Sequence, residues 1–153
     1  MSNENLETFK ATAKGKGWPT SVSITGTNWN LQMDEPKDDG GTDSGANPMQ
    51  YFIASLAGCQ NEQAQVVAEE LSIDIKTIDL NVEVDLDLSG FMGEATNSDT
   101  SYKAVRLKAT VSGSDLTNDK AIELGKHVAA RYPILALLRA GGAKITSEWI
   151  GAS

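Results

Sequence analysis

The side chains able to do chemistry in this chain are few. It carries one cysteine, Cys59, and one histidine, His127, in 153 residues. A lone cysteine forms no intramolecular disulfide. One Cys and one His far apart in sequence meet no zinc-ligand count. Cys59 lies within ASLAGCQNEQ, and on a helix its neighbours one turn away are Ser55, Glu62 and Gln63. Two readings of it stand open. It is a small buried residue, the common fate of a free cysteine, or a thiol in a site lined by those polar groups. A reactive thiol needs a cation or a helix N-terminus to hold its thiolate. No Lys or Arg stands within a helical turn of Cys59, and Glu62 repels the charged form. Local sequence therefore predicts a thiol that is not activated, with any cation coming from elsewhere in the fold or from a partner chain.

The remaining candidates are weaker. His127, beside Lys126 on a predicted helix, reads as a surface or packing residue, although it is the general-base candidate by type. DEPKDDGGTD holds four Asp without the ligand spacing and closing Glu of a calcium loop. GGTDSG lacks the Gly-Lys-Ser/Thr ending of a phosphate loop. Neither a metal nor a cofactor is expected. Trp18, Trp29 and Trp149 are read as core or interface residues.

Composition sets the frame. The length suits one domain over residues 1–153, with enough chain to bury a core. A formal net charge of −8, with no basic cluster beyond KATAKGKG, disfavours nucleic acid as a partner. The apolar runs YFIASLAGC and YPILALL are far shorter than the roughly 20 residues of a membrane span. The polar opening MSNENLETFK shows no secretory pattern, so a cytoplasmic protein without a membrane partner is expected.

The elements that must position Cys59 follow from periodicity. Residues 6–13, 21–26 and 28–34 read as strands, with a tight turn at Gly26–Thr27. A Gly- and Asp-rich loop spans 35–48. A long helix is predicted over 48–71, capped by Asn47 with Pro48 in its first position. Its first half is apolar nearly all round and is expected to be buried; its second half, NEQAQVVAEEL, is amphipathic and is expected to reach the surface. Small residues in ASLAG, with Gly58 inside the helix, suggest close packing against another element. Residues 73–90 read as a strand that alternates strictly over its central part, Ile78 through Leu88 on one face and Asp79 through Asp87 on the other. A loop over 90–101 and a strand over 102–113 follow, its Lys and Arg facing those acids. A helix from Thr117, a short helix from Pro133 closed by Gly141, and a last strand complete the order βββ-α-ββ-αα-β. Clustered strands and clustered helices make an α+β domain.

Two segments carry a family resemblance. GGTDSGANPMQYFIASLAGCQ resembles the opening of the central helix in the OsmC/Ohr family (osmotically inducible protein C and organic hydroperoxide resistance proteins). That opening has a glycine-rich turn, an Asn/Ser-Pro start and a Cys about eleven residues after the Pro. RYPILALLRAGGAKITSEWI resembles the family's second signature, and the element order matches over roughly residues 6–150. The resemblance implies an OsmC-like fold with a long buried central helix, and an intertwined homodimer with sites at the subunit interface. It maps the peroxidatic cysteine onto Cys59 in an interface pocket, and Met49, Phe52, Ser55, Glu62, Gln63 and Tyr132 are the candidate binding residues around it. In the peroxidase members a second Cys resolves the sulfenic acid, and an Arg and a Glu activate the first thiol. Here Tyr132 stands at the second Cys, Met49 and Gln50 stand where the Glu is expected, and no Arg precedes Arg106.

Two functions follow. One is an OsmC-like redox or stress-response protein acting as a one-cysteine reductase of organic hydroperoxides, with an external thiol completing the cycle. The other is a non-catalytic homodimer that keeps the scaffold and binds a small hydrophobic molecule.

Overall fold

The computed structural model describes residues 5–93 and 100–152, in two compact units that divide between Phe52 and Ile53.

The first unit is a three-stranded antiparallel sheet of β1 (Ala11–Lys14), β2 (Thr20–Ile24) and β3 (Asn30–Met33), in that order. The predicted turn is present. Thr27 N–H donates to the Ile24 carbonyl at 3.2 Å, and Gly26 takes a φ of 86°, a value that favours glycine. Two of the three tryptophans do not follow the core reading: Trp29 is 74% and Trp18 45% exposed, whereas Trp149, in the other unit, is buried.

The loop after β3 is built around Asp34. Its fully buried carboxylate accepts from the Thr42 and Ser44 hydroxyls at 2.5 and 2.7 Å, and from the Glu35, Thr42 and Ser44 amides at 2.9–3.1 Å. The glycines of the segment permit that closure. A Cβ on Gly41 would lie 1.9 Å from the Glu35 oxygen, and one on Gly45 2.3 Å from the Gln32 oxygen. These hydrogen bonds, that of the Thr42 hydroxyl first, hold the Asp34 carboxyl well below the usual carboxylate range against the opposing effect of burial. The acidic loop thus spends its buried aspartate on its own backbone.

α1 runs Pro48–Glu70 and starts as expected. The Gln50 amide donates to Asn47 Oδ1 at 2.9 Å, and the Asn47 amide donates to Gln50 Oε1 at 2.8 Å. This reciprocal capping box fixes the helix start with Pro48 at its first position.

The second unit holds most of α1 and the sheet β4 (Thr77–Leu86), β5 (Tyr102–Ser112) and β6 (Lys144–Ala152), ordered β4-β5-β6. β4 pairs antiparallel with β5, and β6 pairs parallel with β5. The alternation of β4 is borne out at every position from Thr77 to Leu86. Leu88 departs from it: the register shifts at Asp85/Leu86, and Asp87 accepts from the Ser89 amide at 3.0 Å to cap the short helix α2 (Leu88–Phe91). The expected loop 90–101 lies partly outside the described residues. On the wet face, Arg106 sits opposite Glu83, donating to it at 2.8 Å and to both Asp85 oxygens at 2.6 Å.

α3 (Asn118–Arg131), capped by Thr117, and α4 (Pro133–Ala140) connect β5 to β6. The core joins Ala64, Val67 and Ala68 of α1, Ala109 and Val111 of β5, Ala121, Leu124 and Val128 of α3, and Trp149 of β6. Burial along α1 corrects the expectation from composition. The buried residues are Leu56, Gln60, Ala64, Val67 and Ala68, so the amphipathic second half supplies most of the core contact. Ala54, Ser55 and Gly58 of the apolar first half are exposed, and a Cβ on Gly58 would meet nothing within 4 Å. The apolar first half thus includes exposed small residues, where composition predicts burial.

Candidate functional site

α1 and α4 position the candidate site. Three residues before Cys59, the Leu56 carbonyl faces the second unit's interior. There it accepts a hydrogen bond at 2.5 Å from the hydroxyl of Tyr132, 76 residues further along the chain. Tyr132 occupies the junction of α3 and α4 and is 1% exposed. Pro133 starts α4 and ends the preceding helix, because a proline has no N–H to continue it. The tyrosine thereby points inward at the turn of α1 that carries Cys59. Burial, and then the charge that Cys59 would bear as a thiolate, push the Tyr132 phenol well above its ordinary range. Tyr132 and Cys59 are thus electrostatic neighbours, and the hydroxyl proton is engaged on Leu56.

Cys59 itself is half-buried, neither a sealed core residue nor an open thiol. Desolvation pushes its thiol up, and the Glu62 charge adds to that rise. Both effects disfavour the thiolate, and no basic group among the described residues opposes them. Arg131, adjacent to Tyr132, is held by Glu70 in a two-pronged pair with both N···O distances 2.7 Å. That geometry satisfies the guanidinium on a carboxylate and leaves Cys59 without it.

The structure brings together part of the expected pocket. Glu62 is exposed and acts on Cys59 through its charge; Tyr132 is buried beside it. Ser55 is exposed and Gln63 half-buried on the same helix. Met49 and Phe52 are half-buried in the first turns of α1 and belong to the first compact unit. His127 lies on α3, where its charge helps to lower the Glu70 carboxyl, consistent with a surface role.

Sequence reasoning missed Gln60. Its side chain is fully buried, and neither its Nε2 nor its Oε1 has a hydrogen-bond partner among the described residues. Leaving a buried amide unpaired costs about 1–3 kcal/mol. The signal was present as a glutamine at the centre of the i, i+4, i+8 series Leu56, Gln60, Ala64. It was masked because the whole first half of the helix reads as apolar.

Among the described residues no group of three or more His, Cys, Asp or Glu is placed to hold a metal, and no helix is long and apolar enough to cross a membrane.

Comparison with known proteins agrees with this architecture. Residues 41–148 match the family model described as OsmC-like protein. A sequence comparison with curated proteins gives no match. Several solved structures share the fold. The OsmC-like protein of Mycoplasma pneumoniae aligns with a TM-score of 0.78 at 17% identity, over 96% of this chain and 99% of its own. The organic hydroperoxide resistance protein OhrB of Bacillus subtilis aligns at 0.61 and 27% identity, over 93% and 97%. A putative organic hydroperoxide resistance protein of Vibrio cholerae, with captopril bound in one of its active sites, aligns at 0.72 and 21% identity, over 97% and 94%.

Proposed function

The chain belongs to the OsmC-like protein family, and from that premise we propose that it is a homodimeric binding protein. Its Cys59 site would take small apolar molecules that end in oxygen, such as organic hydroperoxides and their alcohols. The observation that carries this reading is the pairing of Tyr132 with the Leu56 carbonyl. A buried tyrosine stands where the resemblance expects a resolving thiol, and it offers no second sulfur. Two further facts support the reading. The Cys59 thiol is pushed up rather than down, and the hydroperoxide resistance protein of Vibrio cholerae holds a small molecule in an active site on the same fold. The dimer is supported by the exposure of Ala54 and Gly58 within the otherwise apolar first half of α1.

The half-open position of Cys59 favours a second reading, a one-cysteine hydroperoxide reductase. In that cycle the sulfur attacks the peroxide oxygen, the O–O bond breaks, and Cys59 leaves as sulfenic acid with release of the alcohol. Two equivalents of an external thiol then return it to the thiol, giving water and the thiol's disulfide. Dimedone trapping after one equivalent of cumene hydroperoxide, read by mass spectrometry, separates the two. The binding reading predicts a free Cys59 thiol after mixing. Rapid labelling, together with hydroperoxide consumption in dithiothreitol that Cys59→Ser abolishes, establishes the reductase. Sedimentation at micromolar concentration tests the dimer, and a monomer refutes it.

A further inference from the structure

We infer that the Gln60 carboxamide is the polar anchor of the Cys59 site, holding the oxygen end of a ligand that is otherwise apolar. The inference rests on the binding reading above and adds the residue and the recognised group.

Gln60 is fully buried, and neither of its amide atoms has a partner among the described residues. Buried polar side chains in folded proteins are nearly all paired, so an orphaned one marks a group that is missing. Its surroundings within the helix are apolar: Leu56 and Ala64 lie one turn away on either side, with Val67 and Ala68 beyond them on the buried face. A leucine or methionine would fill that stripe without the penalty.

Helical geometry places the amide beside the reactive groups. Side chains on a helix lean toward the turn that precedes them, which for Gln60 is the turn of Leu56, and the Leu56 carbonyl is where the Tyr132 hydroxyl binds. Cys59 is the adjacent residue, and its charge as a thiolate would act on the Tyr132 phenol. Gln60, Tyr132 and the Cys59 thiol thus surround one turn of α1. Gln60 is closed to solvent while Cys59 is half-open, so the Cys59 side is the route by which this assignment brings a ligand to the amide.

The two orphaned atoms also define the ligand's head. Nε2 must donate and Oε1 must accept. A terminal hydroxyl or hydroperoxyl is among the smallest groups that do both reciprocally. A bare hydrocarbon does neither, and a ketone oxygen satisfies only the donor.

The test compares two probes with one hydrocarbon body, cumyl alcohol and cumene, titrated into the full chain by ligand-observed NMR. A site without a polar anchor prefers cumene, because the alcohol loses its hydration on burial. The wild type is expected to bind the alcohol at least as tightly as cumene. Gln60→Leu and Gln60→Met are expected to shift the alcohol-to-cumene preference about tenfold toward cumene, with the fold checked by circular dichroism. The Gln60 side-chain NH2 signals should move with the alcohol and not with cumene. An unchanged preference in either folded variant overturns the assignment and points to a trapped water or a purely structural amide. Binding of both probes with no effect at Gln60 overturns the anchor alone. Binding of neither overturns the anchor together with the binding reading.

Discussion

Tyr132→Phe isolates one hydroxyl in a sealed place. The phenol is 1% exposed and donates to the Leu56 carbonyl at 2.5 Å. Removing it takes away one buried hydrogen bond, worth about 0.5–1.5 kcal/mol. The cost should stay in that range for two reasons. The Leu56 carbonyl keeps its helical partner, the Gln60 N–H, so no acceptor is orphaned. The phenylalanine ring fills the same volume, so no cavity opens. Tyr132→Ala removes the ring as well and should cost about 3–5 kcal/mol through the cavity it leaves. Urea unfolding followed by circular dichroism, with the slope unchanged between variants, gives both values. The same variant reports on the site. Because the hydroxyl proton is directed at Leu56, it does not stabilise a Cys59 thiolate. Alkylation of Cys59 in Tyr132→Phe should therefore stay within about twofold of wild type, a hydrogen bond to the charged sulfur being absent. A loss above about 3 kcal/mol in Tyr132→Phe would show that the hydroxyl supports more than one bond. A clear fall in alkylation rate would show it donating to the sulfur and refute the argument against activation.

Further outcomes follow from other parts of the structure. A Cβ on Gly125 would lie 2.3–2.7 Å from the indole of Trp149. Gly125→Ala should thus cost about 1–3 kcal/mol in overpacking, less about 1 kcal/mol gained in helix propensity, and an unchanged or raised Tm would mean the indole moves freely. Asp34 has its folded carboxyl pKa lowered, so its contribution is present above the unfolded value of about 3.9. It is lost only as pH falls through the lower folded value. Amide protection at Thr42 and Ser44 should accordingly persist below pH 3.9 in wild type and be reduced at neutral pH in Asp34→Asn; protection that vanishes near pH 4–5 would contradict the hydrogen-bond count. Glu62→Gln removes the second cause of the raised Cys59 thiol and should speed iodoacetamide alkylation near neutral pH, while burial keeps the rate below that of a free cysteine. A rate equal to or faster than free cysteine in wild type would reveal a cation supplied by a partner chain.

The sequence by itself determined most of the elements and several of their ends, although the strand expected over 6–13 runs Ala11–Lys14, that over 73–90 runs Thr77–Leu86, and the short helix Leu88–Phe91 was not foreseen. Alternation over Thr77–Leu86, the Asn47–Pro48 helix start, the Thr117 cap and the break at Pro133 are local properties, legible because period, caps and breakers act within a few residues. It also predicted the repulsion between Glu62 and Cys59, since both lie on one helix face. Only the tertiary structure decided which face of α1 is covered. An apolar stretch says that burial is favourable but not which element supplies it; Leu56, Gln60 and Ala64 are buried while Ala54 and Gly58 are exposed. The parallel pairing of β5 with β6 and the encounter of Tyr132 with the Leu56 carbonyl are likewise long-range events. The orphaned amide of Gln60 belongs with them, because a hydrogen bond is defined by distance and direction between groups, and sequence spacing fixes neither once the chain has turned back on itself.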